Sequence, residues 1–154
     1  MCVLSFGTGC VSQHPEGGSA GADSGEQRIV ATSNSTLWIC DALDLELTAI
    51  CATSGDVPER YRGLPEIGTA MSPDAEAIAL LDPTDVIGPA SLQESIEPTY
   101  QAAGVPYTFI DLESVGSMYD TIDMLGEKYD RKPQADGLIE EYHRTLEDFQ
   151  EAVK

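Results

Sequence analysis

The sequence predicts an α/β protein: a single lobe in which helices cover both faces of an open parallel sheet. From residue 28 onward, short runs of β-branched and apolar residues alternate with longer segments of helical periodicity. Parallel strands need such crossover helices, which then bury both faces of the sheet. The chain has 154 residues, of which 42% are apolar, so it can form one domain with a real core but not two.

The predicted strands are short apolar runs bounded by residues that favour turns. In chain order they cover residues 28–32, 47–51, 66–68, 85–87 and 105–110. The helices are recognised by their ends, because polar side chains at 33–36 can cap the first, Pro83 stops the second and Gly104 closes the third. The predicted helices cover residues 37–43, 74–81, 91–103, 114–129 and 132–154.

The chain divides into three parts. Residues 28–130 are expected to form the lobe, and residues 131–154 a long helix that leaves it. One side of this helix is apolar, which indicates a surface that expects a partner. The residues on that side are Leu138, Tyr142, Leu146, Phe149 and Val153.

Residues 1–27 have a different character. A short, weakly apolar run ends at Gly9-Cys10, and a polar tether rich in glycine and serine follows it. This layout is typical of a clipped bacterial lipoprotein signal, in which Cys10 becomes the lipidated N-terminus. No basic segment precedes the run, and a plain disordered tail is the alternative. A lipid anchor would then be the protein's only contact with the membrane.

The charge balance limits the partners. Asp and Glu number 27 against 8 Lys and Arg, and such a field repels nucleic acid and anionic membranes. Cys40 and Cys51 fall in a predicted helix and strand, without the spacing of a metal site. They are interpreted as buried thiols, with a disulfide between them as the alternative.

The loops that follow the predicted strands are the expected binding site, because ligands meet open α/β sheets at the carboxyl ends of the strands. Ser33 and Asn34 follow the first strand, Ser54 the second, and Ser91 the fourth. These loops carry no nucleophile elbow, phosphate-binding loop, dinucleotide fingerprint or zinc-protease motif. Only two histidines are present, and His143 is expected to be a solvated helix residue. We therefore expect a binding protein and not an enzyme.

The third loop carries the most specific pattern, Gly68-Thr-Ala-Met71-Ser-Pro-Asp-Ala-Glu76, in which Ser-Pro-Asp is interpreted as a helix start. A helix stop and a buried strand follow it, at Leu80-Leu-Asp-Pro-Thr-Asp-Val-Ile87. This combination resembles the N-terminal lobe of the substrate-binding lipoproteins of ABC importers for iron, haem, siderophores and vitamin B12. Within that family it looks most like the haem-binding members, and the resemblance covers residues 28–154.

The resemblance implies roles for individual residues. Met71 would be a thioether ligand to haem iron, since soft ligands suit iron in a porphyrin. Glu76 would dock on arginines of the membrane permease, although an acidic residue in a first helical turn often does no more than stabilise the helix. Tyr61 would lie along the face of the ligand or, alternatively, pack over its loop. The second axial ligand, a histidine, would come from a second lobe.

The expected function is capture of haem between two lobes and delivery to ABC permease subunits, without bond chemistry. A ferric siderophore or cobalamin is the alternative ligand. The chain ends within or just after the long helix, so it is expected to be a fragment or to meet a second lobe in trans. An orphan lobe that acts only in protein interaction stays open. A response-regulator-like domain is disfavoured because Thr32 and Thr53 follow the strands where a phosphorylated aspartate would lie. A small hydrolase lacks its nucleophile.

Overall fold

The computed structural model describes residues 26–153. The lipidation predicted at Cys10, and the leader and tether predicted over 1–27, lie outside the described residues except for Glu26 and Gln27. Among the described residues, no helix combines the length and the apolar character that a membrane span requires.

Within residues 26–153, six strands form one sheet, in the order β4-β3-β2-β1-β5-β6. Their bounds are β1 Ile29–Ala31, β2 Leu47–Ala52, β3 Glu66–Thr69, β4 Ser72–Pro73, β5 Asp85–Pro89 and β6 Tyr107–Ile110. All neighbouring pairs are parallel except β3 and β4, which form an antiparallel hairpin. The predicted fold class, an open parallel sheet flanked by helices, is confirmed, and the structure adds one antiparallel hairpin at its edge. Ser72 and Pro73 belong to a strand, so only Asp74 of the predicted Ser-Pro-Asp helix start caps a helix.

In the described part of the chain, five α-helices connect and follow the strands, close to the predicted bounds. They are α1 Asn34–Ala42, α2 Ala75–Leu80, α3 Gln93–Ala103, α4 Val115–Lys128 and α5 Lys132–Ala152. The caps explain these bounds. Ser33 accepts a hydrogen bond from the backbone of Thr36, Asp74 caps α2, and Ser114 forms a capping box with Ser117. Gly104 ends α3 in the left-handed conformation, as predicted.

Alternate residues of the central strands enter two separate cores. Ile29, Ala31 and Ile87 pack under α1, α4 and α5, together with Cys40 and Cys51. Both cysteines are buried and free, as predicted, and no disulfide joins them. The second core lies between the sheet and the helices α2 and α3, and its residues are Val30, Ala49, Ile67, Ile78, Val86, Ile96 and Tyr100. Helices therefore cover both faces of the sheet, and the amino and carboxyl ends of the strands are the parts that these helices leave uncovered.

The corner between α4 and α5 is tightly built. A methyl group added at Gly126 would lie 2.5 Å from the Cβ atom of Ala135, so only glycine lets the two helices approach this closely. Lys132 adds ion pairs to Asp123 and Asp136. These hydrogen-bonded pairs raise the pKa of the Lys132 ammonium. The corner fixes the direction in which α5 leaves the lobe.

Beyond the corner, α5 runs antiparallel to α4. His143 stacks on Tyr119 with ring centroids 4.6 Å apart, while its own side chain stays largely in solvent, as predicted. Tyr142 still packs against the core. The following apolar residues do not, since Phe149 is 68% and Val153 72% exposed. The stripe predicted from the sequence is therefore half covered by the lobe and half open.

Candidate functional site

Five loops meet at the carboxyl edge of the sheet, because β1, β2, β3, β5 and β6 all run in the same direction. These loops cover residues 32–36, 53–56, 69–72, 89–92 and 111–114. Most residues predicted as ligand contacts lie here, as the parallel topology requires. This carboxyl edge is the candidate site.

A buried polar contact supports the middle of the edge. The hydroxyls of Thr32 and Tyr100 share a hydrogen bond of 2.6 Å, and Thr32 also donates to the carbonyl oxygen of Ile87 at 3.2 Å. A methyl group at Gly88 would lie 2.9 Å from the Tyr100 hydroxyl, so glycine leaves the room that this contact needs. Burial raises the pKa of Tyr100 to about 12, against the opposing effect of the Thr32 hydrogen bond. This contact ties the ends of β1 and β5 to α3.

Two of the predicted ligand contacts, Ser33 and Asn34, lie at the start of α1, and their side chains have different surroundings. Ser33 is buried, and its Oγ lies 2.6 Å from Thr36 Oγ1 and 3.2 Å from the Thr36 backbone nitrogen that donates to it. The prediction that Ser33 touches ligand was therefore wrong, because helix capping uses this side chain fully. Asn34 is half-buried beside Gly55. Asn34 thus lies partly exposed at the edge, while its Oδ1 is a buried acceptor without a partner among the described residues.

Two further predicted contacts lie open at the same edge. Ser54 follows β2 and Ser91 follows β5, and both side chains are exposed. Ser91 lines a cavity of about 230 Å³ between the ends of β5 and β6. The other residues that line it are Ser35, Pro89, Ile110, Asp111, Leu112 and Glu113. The structure therefore brings Asn34, Ser54 and Ser91 to one surface.

Met71 lies at the tip of the β3–β4 hairpin and is 67% exposed. Gly68 has a φ of +90°, and a methyl group there would lie 2.6 Å from the carbonyl oxygen of Ser72. Thr69 Oγ1 accepts from the Ser72 backbone at 3.2 Å, and the Asp74 backbone donates to Ile67 at 2.7 Å. The hairpin therefore presents the thioether on a short, well-fixed turn. The sequence did not predict the strand β4 of this hairpin, because two residues are too few to show the periodicity of a strand.

Glu76 lies in the first turn of α2, directly behind this hairpin. Asp74 Oδ1 accepts hydrogen bonds from the backbone nitrogens of Glu76 at 2.9 Å and Ala77 at 3.0 Å, so capping is done by Asp74 and not by Glu76. The Glu76 side chain is exposed, and it pairs with no basic group among residues 26–153. Its carboxylate is therefore accessible to a partner.

Tyr61 is not part of the candidate site. Its side chain is 1% exposed, and its hydroxyl donates to the carbonyl oxygen of Leu45 at 2.6 Å. Leu45 precedes β2, so Tyr61 is held at the amino edge of the sheet, opposite the binding loops. The prediction of a ligand contact was wrong, and the alternative that Tyr61 packs over its loop is confirmed. Burial raises the pKa of this phenol.

The amino edge holds a polar cluster that the sequence did not reveal. Asp85 is buried at the start of β5, and its Oδ2 accepts from Thr108 at 2.8 Å, from Lys128 at 2.6 Å and from the hydroxyl of Tyr129. Burial and the hydrogen bond to Asp85 raise the pKa of Tyr129. A cavity of about 390 Å³ lies beside this cluster. Within the described chain, no group of three or more His, Cys, Asp or Glu could hold a metal ion. The cluster joins β5, β6 and α4.

Comparisons with known proteins agree with this architecture. Over 115 residues, which are 75% of this chain and 39% of the relative, the sequence is 35% identical to the high-affinity heme uptake system protein IsdE of Staphylococcus aureus strain Newman. The crystal structure of S. aureus IsdE complexed with heme matches with a TM-score of 0.79 and 31% identity, covering 84% of this chain and 51% of that one.

A second solved structure is equally similar. An ABC transporter substrate-binding protein from Listeria monocytogenes EGD-e matches with a TM-score of 0.80 and 32% identity, covering 84% of this chain and 50% of that one. The chain thus spans about half the length of these solved relatives. The sequence profile described as periplasmic binding protein matches residues 29–154, which include every described strand and helix. The chain therefore belongs to the periplasmic binding protein family.

Proposed function

We propose that this chain is the ligand-capturing lobe of an extracytoplasmic binding protein that delivers haem to an ABC importer. The exposed Met71 thioether at the tip of the hairpin carries the proposal, since it is a soft ligand held where the sheet would meet its ligand. The similarity to a heme uptake protein supports the same ligand. The lobe binds and releases the ligand without forming or breaking covalent bonds in it.

The remaining contacts follow from the geometry of the carboxyl edge. Asn34, Ser54 and Ser91 supply hydrogen-bonding groups around the loops, and Met71 supplies the one soft donor that these loops contain. A thioether favours ferrous over ferric iron relative to harder ligands. The lobe alone would therefore give a weak, half-built site, and a second lobe, in the same longer chain or in trans, would supply the opposite axial ligand.

Haem titration tests this proposal directly. Residues 26–154 are titrated with ferric and with ferrous haem, and the Soret band is followed for the native sequence, Met71→Ala and Leu80→Ala. Leu80 is the matched control because it is 87% exposed and lies at the far end of α2. We expect a shifted band that Met71→Ala weakens and Leu80→Ala leaves unchanged. Binding that is equal in all three proteins would remove Met71 as a ligand.

Because the site on one lobe is expected to be weak, the titration extends to high haem concentration, and absence of any Soret shift there would reject haem as a ligand of this lobe. The same titration is then made with a ferric siderophore and with cobalamin, the alternative ligand classes for this family. If none of the three binds, an orphan lobe that acts only through protein contacts becomes the better interpretation.

Two contacts with the membrane system complete the proposal. Glu76 would pair with arginines of the permease, because its carboxylate is exposed and uncommitted to the helix cap. Arginine forks suit such docking since they fix orientation as well as supplying attraction. Cys10 would carry the lipid anchor. Incorporation of a labelled fatty acid that disappears in Cys10→Ala would support the anchor, and labelling that persists would exclude it.

A further inference from the structure

The basic residues of the described chain are strongly segregated. Arg28 pairs with Asp82 before β5, and Arg60 pairs with Asp44 and Glu46 before β2. Seven basic residues occur in residues 26–153, and these are Arg28, Arg60, Arg62, Lys128, Arg131, Lys132 and Arg144.

The other basic residues, apart from Arg144, also lie away from the binding loops. Lys128 pairs with Asp85 at the amino edge, and Arg131 donates to the carbonyl oxygen of Asp44. Lys132 belongs to the corner between α4 and α5. Arg62 lies in the segment that leads into the start of β3. Arg144 is the exception, since it adjoins the His143 that stacks on Tyr119 near the start of α4, and it pairs with Glu140 along α5. Apart from Arg144, the basic residues of the described chain are concentrated at the amino edge of the sheet and at the corner between α4 and α5.

The carboxyl edge has the opposite character. None of its five loops contains Lys, Arg or His, while Asp56, Asp111 and Glu113 all belong to them. Asp111 and Glu113 line the cavity of about 230 Å³ together with hydroxyl-bearing Ser35 and Ser91. A carboxylate brought to these loops would find hydroxyl donors but no positive side chain that belongs to them, and it would meet the two like charges of Asp111 and Glu113.

We infer that this edge selects iron chelates by charge: it accepts a neutral face and turns carboxylates away. The inference rests on the proposed function and specifies which side of the ligand this lobe holds. For haem, the porphyrin face and its iron would approach Met71, while the propionates point away from Asp111 and Glu113. Repulsion between like charges in a partly desolvated site exceeds that in bulk water, so the preference survives at moderate salt.

Two forms of one ligand isolate the charge. Ferrous protoporphyrin and its dimethyl ester, kept under reducing conditions, share a neutral iron–porphyrin unit, but the ester lacks the carboxylates. Each is titrated into the full chain at low and at moderate ionic strength, and the Soret band is followed. We expect the ester to bind at least as tightly as haem, and salt to tighten haem binding while leaving ester binding unchanged.

Substitutions then locate the effect. Asp111→Asn combined with Glu113→Gln removes both carboxylates, and the Asn carbonyl keeps the hydrogen bond that Asp111 Oδ1 accepts from the Glu113 backbone at 2.9 Å. We expect haem to bind about two- to fivefold tighter to this variant at low salt, with no change for the ester. Glu127→Gln is the control, since Glu127 is exposed at the end of α4 near the amino edge.

The outcomes separate the two proposals. If haem binds about tenfold more tightly than its ester, a positive partner holds the propionates and the inference is overturned while the proposed function stands. If Glu127→Gln tightens haem binding as much as the double variant, net charge and not this edge sets the preference, which also overturns the inference. If neither porphyrin binds, the proposed function fails and the inference falls with it.

Discussion

Replacement of Gly68 by alanine should destabilise the lobe through the hairpin that carries Met71. Gly68 has a φ of +90°, and an alanine Cβ would lie 2.6 Å from the Ser72 carbonyl oxygen and 3.0 Å from the Asp74 nitrogen. Both neighbours are backbone atoms of the same hairpin and helix cap. They cannot move aside as a flexible side chain could, so the strand pair or the cap has to open.

Two separable costs set the magnitude. The left-handed backbone costs an L-residue about 1–2 kcal/mol, and forcing a methyl group into a filled space costs about 1–3 kcal/mol more. The expected loss is therefore about 2–5 kcal/mol, a large part of the about 5–15 kcal/mol that stabilises a typical domain.

Gly63→Ala is the matched control for this variant. Gly63 has a φ of +85°, but nothing lies within 4 Å of its added Cβ, so only the backbone cost applies. Urea unfolding at 25 °C should therefore show Gly68→Ala less stable than Gly63→Ala by about 1–3 kcal/mol, at similar slopes. In a haem titration, the Soret band of Gly68→Ala should also resemble that of Met71→Ala more than that of the native protein.

Equal unfolding free energies for the two alanine variants would refute this reasoning. That result would mean that the Ser72 carbonyl oxygen yields without cost. Gly68 would then not be what holds the tip of the hairpin in place.

Two further predictions concern stability. Gly126→Ala should lose about 1–3 kcal/mol of unfolding free energy, because its Cβ would lie 2.5 Å from that of Ala135. Gly137→Ala has nothing within 4 Å of its added Cβ and should gain about 0.5–1 kcal/mol from helix propensity. The urea midpoints of the two variants should therefore shift in opposite directions, and a gain in both would show that the corner between α4 and α5 tolerates an added methyl group. Burial, followed by the nearby acidic groups, raises the pKa of Cys40 from 9.0 to about 12, so the stability that this neutral thiol contributes is present below pH 9 and is lost as pH rises towards 12. Urea unfolding near pH 8 and near pH 10 should thus show a smaller alkaline loss in Cys40→Ala, and equal losses would contradict the raised pKa.

Local signals explain why most of the fold could be predicted. Ser33, Asp74 and Ser114 cap helices with side chains that reach only two or three residues along the chain. Gly104 closes α3 through its own backbone conformation. The strand β5 is a short apolar run between Pro83, which ends the preceding helix, and Gly88-Pro89. Each of these features is encoded within a few residues, so the element and its bounds can be predicted together.

The features that were missed depend on distant residues. The sequence left two roles open for Tyr61, a ligand contact or packing over its loop, because the hydrogen bond from its hydroxyl to the carbonyl oxygen of Leu45 forms only when the chain is packed. The contact between Thr32 and Tyr100 joins residues 68 positions apart. In the candidate site, the sequence placed Asn34, Ser54, Met71 and Ser91 at one edge through topology. It could not show which hydroxyls the helix cap already uses.

Because α5 is long, a small change at the contact of Gly126 would displace the far end of α5 by a larger distance. A helix of 21 residues is about 31 Å long, whereas the 14 residues of α4 span only about 21 Å. Since α5 runs back along α4 from the corner, its exposed end, with Phe149, extends beyond the start of α4. A tilt of about 5° at the corner would move that end by about 3 Å. The position of this end of α5, on the side of the binding loops, thus depends on the contact between Gly126 and Ala135 at the opposite edge of the sheet.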